Sequence, residues 1–222
     1  MEAVVTAGPE PAFADGWLDA SLAEEYPHLR LREITVPVRA GRSSRSVRRR
    51  LEHLSGRISG AEAVATRTRP IPHAYRVFFR HVGIDPDTQR TPIEQAVIDR
   101  LVDGEFKARN RIDDALLVAL AETGVPIWAL DEAPLDGPLG LRESRAGEPI
   151  GTGEHADEAP PGRLVLADAE RAVGVLFGKL APSHEVSKES VAVRLFTIQV
   201  PGVPDAHVSE ALWTCLECLA AE

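Results

Sequence analysis

Residues 110–131 read NRIDDALLVALAETGVPIWALD. Asp113 or Asp114 is placed to cap a helix that carries Leu116, Leu117, Leu120 and Ala121. Gly124 stops that helix, because glycine accepts the left-handed backbone that ends helices at no steric cost. Pro126, Trp128 and Asp131 then read as a turn. Upstream of this stretch the patterns are helical, and downstream they are extended.

Working back, TPIEQAVIDRLVDGE (91–105) opens with a capping box of Thr91 and Glu94 around Pro92. Ile93, Val97, Ile98 and Leu101 recur at helical spacing, and Gly104 closes the run. RTRPIPHAYRVFFRHVGIDP (67–86) starts a helix at Pro70 and Pro72, with Ala74, Val77, Phe78 and His81 as its stripe and Gly83 as its stop. Residues 60–66 form a short small-residue helix or turn. SSRSVRRRLEHLSGRI (43–58) is a helix capped by Ser43 or Ser44, with Val47, Leu51, Leu54 and Ile58 on one face. LRLREITVPV (29–38) has β-branched residues and Pro37, which suits an edge strand. Residues 1–27 read as a loose lead in which Trp17, Leu18 and Leu22 pack down.

Working forward, GLRES (140–144), RLVLAD (163–168), AVGVLF (172–177) and VAVRLFTIQV (191–200) are short β-type runs separated by turns. Asp168 is a turn residue between two of them. RAGEPIGTGEHADEAPPG (145–162) is a long Gly/Pro/acid loop. A last helix covers about 206–220, and Cys215 and Cys218 fall within it at core positions. Helices first, strands later and a closing helix make an α+β fold, not alternating βαβ units.

The chain has 222 residues, 44% of them hydrophobic, which is a globular composition. No apolar run approaches the ~18 residues of a membrane span. MEAVVTAGPEPAFADG (1–16) lacks the basic start and apolar core of a secretory signal, so the expected location is the cytoplasm. Net charge is −9, yet His28–Arg80 holds thirteen arginines against three acids, a local balance of +10. Such asymmetry puts a basic face on an acidic protein. Arg42, Arg45, Arg48 and Arg49 either form a solvated helix face or contact RNA phosphates.

Phosphate-loop, dinucleotide, zincin and nucleophile-elbow motifs are absent. The histidines at 28, 53, 73, 81, 155, 184 and 207 have no ligand spacing, so neither a metal nor a cofactor is expected. Ser183, His184 and Glu185 are adjacent in sequence, and neighbours along a strand point to opposite faces. What remains are polar residues at element ends: Asn110, Asp114, Asp131, Arg142, Glu143 and Asp168.

Several of these sit in an ordered set of short motifs: Tyr75, Gly83-Ile84-Asp85-Pro86, Pro92 with Glu94 and Arg100, Asn110 and Asp114, Pro126–Asp131, Leu141-Arg142-Glu143 with Gly147-Glu148, and Gly162–Asp168. In order and spacing over about 130 residues they resemble the B3/B4 domain of the phenylalanyl-tRNA synthetase beta subunit in its free-standing form. The resemblance implies β-structure of barrel character in the C-terminal half, flanked by helices mostly from the N-terminal half. It implies a lead at 1–68, carrying the basic strand–helix segment, packed on a B3/B4-like domain at 69–222. It implies tRNA or a similar structured RNA as partner, with Arg42, Arg45, Arg48 and Arg49 on phosphates. It implies a pocket near Tyr75, Asn110, Asp114, Trp128, Asp131 and Arg142. Two alternatives stay open: hydrolysis of mischarged aminoacyl-tRNA, and binding of a free amino acid. The family's editing form keeps a histidine where Trp128 stands and asparagines where Leu116 and Leu117 stand, which counts against hydrolysis. Trp128 serves either as core and pocket wall or as a stacking platform.

Overall fold

A computed structural model describes residues 13–153 and 156–221. The reading of residues 1–12 and of His155 falls outside them. In chain order the described elements are β1 (Ala14–Asp15), β2 (Trp17–Leu18), α1 (Ala20–Glu25), β3 (Arg30–Pro37), α2 (Arg45–Arg57), α3 (Gly60–Thr66) and α4 (Pro70–His81). They continue with α5 (Pro92–Asp103), α6 (Arg111–Thr123), β4 (Ile127–Asp131), β5 (Gly140–Glu143), β6 (Leu164–Ala167), β7 (Ala172–Val175), β8 (Ala192–Gln199) and α7 (Asp205–Ala220). The class is α+β. The strands form two four-stranded sheets, β1-β3-β8-β4 and β2-β5-β6-β7, and no closed barrel among the described residues.

The first sheet is antiparallel throughout. Its Pro126–Asp131 stretch, expected as a turn, is a strand: Ile127 to Asp131 pair with Thr197 to Val193 of β8. The alternation of a five-residue run is too short to separate strand from turn without its partner. β3, expected at an edge, pairs with β8 along its whole length and with β1 only at Arg32 and Glu33. Pro37 is its last residue, where a missing N–H disturbs the ladder least.

Residues 13–27, expected to be loose, stitch the two sheets together. β1 joins the first sheet and β2, after the single residue Gly16, joins the second, parallel to β5. A Cβ on Gly16 would lie 2.4 Å from the Leu139 carbonyl and 2.6 Å from Leu31, so only glycine allows this crossing. Trp17 donates its indole N–H to the Pro138 carbonyl, and Leu22 is buried.

The sheets pack face to face. Trp128, Phe196 and Ile198 of the first meet Leu166, Val175, Leu176 and Leu180 of the second or its turns. The opposite face of the first sheet carries α6 and α7, which make the most extensive helix–helix contact of the molecule. Ala115, Val118 and Ala119 of α6 are fully buried there, with Val208, Ala211, Leu212 and Cys215 of α7. The buried stripe of α6 is therefore its small residues, and Leu116, Leu117, Leu120 and Ala121 are only half-buried. Small side chains let two helix backbones approach, which a leucine count does not reveal.

A similar rotation occurs in α4. The buried face of α4 is Ile71, Ala74, Tyr75, Phe78 and Phe79, while His81 is exposed. Its aromatic rings converge with Trp128 on Phe177, whose left-handed backbone (φ 55°) turns its ring inward. That backbone costs on the order of 1 kcal/mol, which the packing of the partly buried ring against four aromatic neighbours offsets. In α5 the buried residues Ile93, Glu94 and Val97 all lie in the first half; the last turn runs past the core and leaves Leu101 and Val102 exposed. Cys215 and Cys218 are free and buried, as small apolar residues of α7.

Candidate functional site

The start of α6 borders a large cavity. Asn110, extended at φ −151°, is the cap: its Oδ1 accepts from the amides of Ile112 (3.0 Å) and Asp113 (2.9 Å). Its Nδ2 donates to the Asp113 carboxylate (2.8 Å). Sequence assigns the cap to Asp113 or Asp114, but a cap must have a non-helical backbone, and both aspartates lie inside the first turn. Asp114 is instead buried, accepting from Ser43 Oγ and from the Arg109 amide (2.8 Å). The Arg111 amide donates to the Gly41 carbonyl (2.9 Å). These bonds zip the segment before α2 to the segment before α6.

Between these two segments and residues 185–188 lies a cavity of 760 Å³. Arg42, Arg109, Arg111 and Lys188 line it, against Asp113 and Glu185. None of the four cations pairs with a carboxylate among the described residues. The Nε of Arg111 is buried without a hydrogen-bond partner among the described residues. Leu116 and Ala129 supply an apolar floor. Other arginines are committed: Arg50 to Glu122 (2.6 Å), Arg76 to Glu94 and Asp87 (2.6 Å each), Arg194 to Glu33 and Glu132 (2.8 and 2.6 Å).

Of the arginines proposed for RNA, Arg42 enters the cavity and Arg45 and Arg49 stand exposed one turn apart on α2. Arg48 is half-buried and donates to the Ser43 carbonyl (2.7 Å), so it braces the loop. Arg109, Arg111 and Lys188 escape a count that follows the arginine-rich segment. The signal was nonetheless present: KARNR (107–111) is a short basic run inside the acidic remainder of the chain.

The other pocket residues are dispersed. Tyr75 is 1% exposed, and its hydroxyl donates to the Ile198 carbonyl (2.8 Å). Burial pushes its pKa upward. Trp128 stacks on Phe196 with ring centroids 5.6 Å apart and faces the second sheet. Asp131 accepts from the Ala133 amide (3.2 Å) at the end of β4. Arg142 forms a two-pronged pair with Glu148, and that bond holds the Glu148 carboxyl below the usual range. Asn110 alone of the six borders the cavity, with Asp114 just behind it.

Ser183 and His184 do meet. They lie on a 3₁₀ turn, Pro182–His184, where the opposite-face rule of a strand does not apply. Ser183 Oγ is 3.0 Å from His184 Nδ1 and accepts from the Thr152 amide (3.0 Å). His184 is fully buried, and that burial lowers its pKa; Arg171 acts the same way, and Asp168 and Asp131 oppose it. Asp168 spends its carboxylate on the amides of Asp136, Glu170 and Arg171, and so orders the loops around it. The pair anchors the long Gly/Pro loop beside the segment that walls the cavity.

Among the described residues no helix is long and apolar enough to cross a membrane. Neither the protein-family models nor the curated proteins contain a match to the chain.

Proposed function

We propose that the chain is an RNA-binding module of the B3/B4 kind, acting in the cytoplasm, and that it holds the phosphates of a tRNA-like RNA in the cleft at the start of α6. The observation that carries this is the convergence of Arg42, Arg109, Arg111 and Lys188, all without carboxylate partners among the described residues, on one cavity of a protein with net charge −9. Cations left unpaired around a cavity raise its affinity for anions, and guanidinium forks match phosphate oxygens. Exposed Arg45 and Arg49 extend the basic surface from Arg42 along α2. Release of about four counterions by the cleft cations and the α2 arginines predicts an affinity for total tRNA that falls on the order of 100-fold between about 50 and 200 mM salt. Fluorescence anisotropy at the two concentrations measures this; no binding at the lower one sinks the reading.

Capture of a free amino acid or similar small anion is the second reading. Its support is the cavity volume of 760 Å³, inside the range of small-molecule sites. A thermal shift with free amino acids but none with tRNA selects it. The hydrolytic alternative gains nothing from the cleft, since Tyr75, Asp114 and Arg142 are bound to internal partners.

A further inference from the structure

The cleft's cations line one cavity. Arg42 precedes α2, Arg109 and Arg111 flank the cap of α6, and Lys188 follows the 3₁₀ turn, so three separate segments surround one cavity. Grooves that follow a nucleic-acid backbone string their cations along a line, because each meets a singly charged phosphodiester. Here four cations face the two carboxylates Asp113 and Glu185, an excess of two positive charges in one place. Asp113 is partly engaged by Asn110. The α6 amides contribute little to a ligand, since Asn110 already occupies those of Ile112 and Asp113.

A terminal phosphomonoester carries about −1.5 to −2 charges at neutral pH, with a second pKa near 6, against −1 for a phosphodiester. It also offers three oxygens to donors that arrive from several sides. The side chains of Arg42, Arg109, Arg111 and Lys188, without carboxylate partners among the described residues, supply donors that such a group would satisfy. Leu116, Ala129 and Val186 give the remaining wall an apolar surface suited to a base or sugar.

We propose that the cleft binds the terminal phosphomonoester of a nucleotide, whether the phosphorylated end of an RNA chain or a free nucleoside monophosphate. The inference rests on reading this cleft as an RNA phosphate site and narrows that reading to a chain end.

The test uses the full chain and one short oligoribonucleotide sequence with 5′-phosphate, 3′-phosphate or hydroxyl ends, plus adenosine monophosphate as competitor. The expected result is at least ~10-fold tighter binding of one phosphorylated form than of the hydroxyl form at equal salt, with competition by the monophosphate. The gap should narrow as pH falls below about 6. Arg111→Ala and Lys188→Ala, each checked for unchanged thermal unfolding, should both shrink it; Lys188 is exposed, so its variant tests the site even if the other misfolds. Equal affinity for phosphorylated and hydroxyl ends overturns the inference while leaving RNA binding intact. Binding of the monophosphate but of no RNA keeps the phosphomonoester site and overturns its RNA setting. Binding of none overturns both.

Discussion

Trp128 and Ala129 are neighbours on β4, and they face opposite sides of one sheet. Trp128 stacks on Phe196 and meets Phe177, inside the contact between the two sheets. Ala129 lines the basic cavity with Arg42 and Lys188. The first face is closed by aromatic rings and keeps almost no space; the second is open, with guanidinium groups that lack carboxylate partners among the described residues. The strand period of two makes this division unavoidable once β4 is paired. A family pattern that gathers Trp128, Tyr75 and Asn110 into one candidate pocket therefore mixes residues from two sides. The basic segment and the tryptophan do not share a pocket.

The largest test of that division is Trp128→Ala. Loss of the ring from between Phe196 and Phe177 should cost about 3 kcal/mol in urea unfolding, with RNA affinity unchanged. Lost RNA binding at little cost in stability would show that the tryptophan belongs to the ligand side after all. Next comes the triple variant Arg42→Ala, Arg109→Ala, Arg111→Ala. It should weaken tRNA binding on the order of 100-fold, ~2.7 kcal/mol, and leave unfolding within about 0.5 kcal/mol. An unchanged affinity removes the cleft from the binding surface.

Asn110→Ala sharpens the boundary between the two roles of the α6 start. It should cost about 1 kcal/mol of stability through the lost cap, while the cations around it still bind. Smallest is a pH effect at His184, measured as the slope of melting temperature. Its folded pKa is lowered, so folding favours the neutral ring. That contribution is fully present above the unfolded value near 6.5 and is lost as pH falls toward the folded value. His184→Gln should flatten the slope between about pH 7 and 5. A slope as steep as in the parent assigns the titration to other groups.

Much of the helical framework was legible in the sequence. Ser44, the Thr91–Glu94 box and Gly124 act through bonds or angles within a few residues, so their chemistry shows in a short window. Faces were harder. In α4 and α6 a periodic pattern announces a helix but not its rotation; in α6, Ala115 and Ala119 gain burial from α7, nearly a hundred residues later. The Asp114 carboxylate reads as a cap, and only its contact with Ser43, from another loop, makes it a clasp. The cleft is least legible: its four cations are spread from position 42 to 188 and are united by no motif.

By itself the sequence determined the α+β class, most helix ends, the free cysteines' place in the last helix and the concentration of arginine near the N-terminus. Each depends on local backbone preference or on composition. Tertiary structure alone decided that β4 is a strand, that residues 13–18 join both sheets, that Trp128 turns inward and that Arg42, Arg109, Arg111 and Lys188 meet. Those outcomes depend on which segments pair across long stretches of chain, and a strand's two faces acquire different chemistry only once its partner is in place.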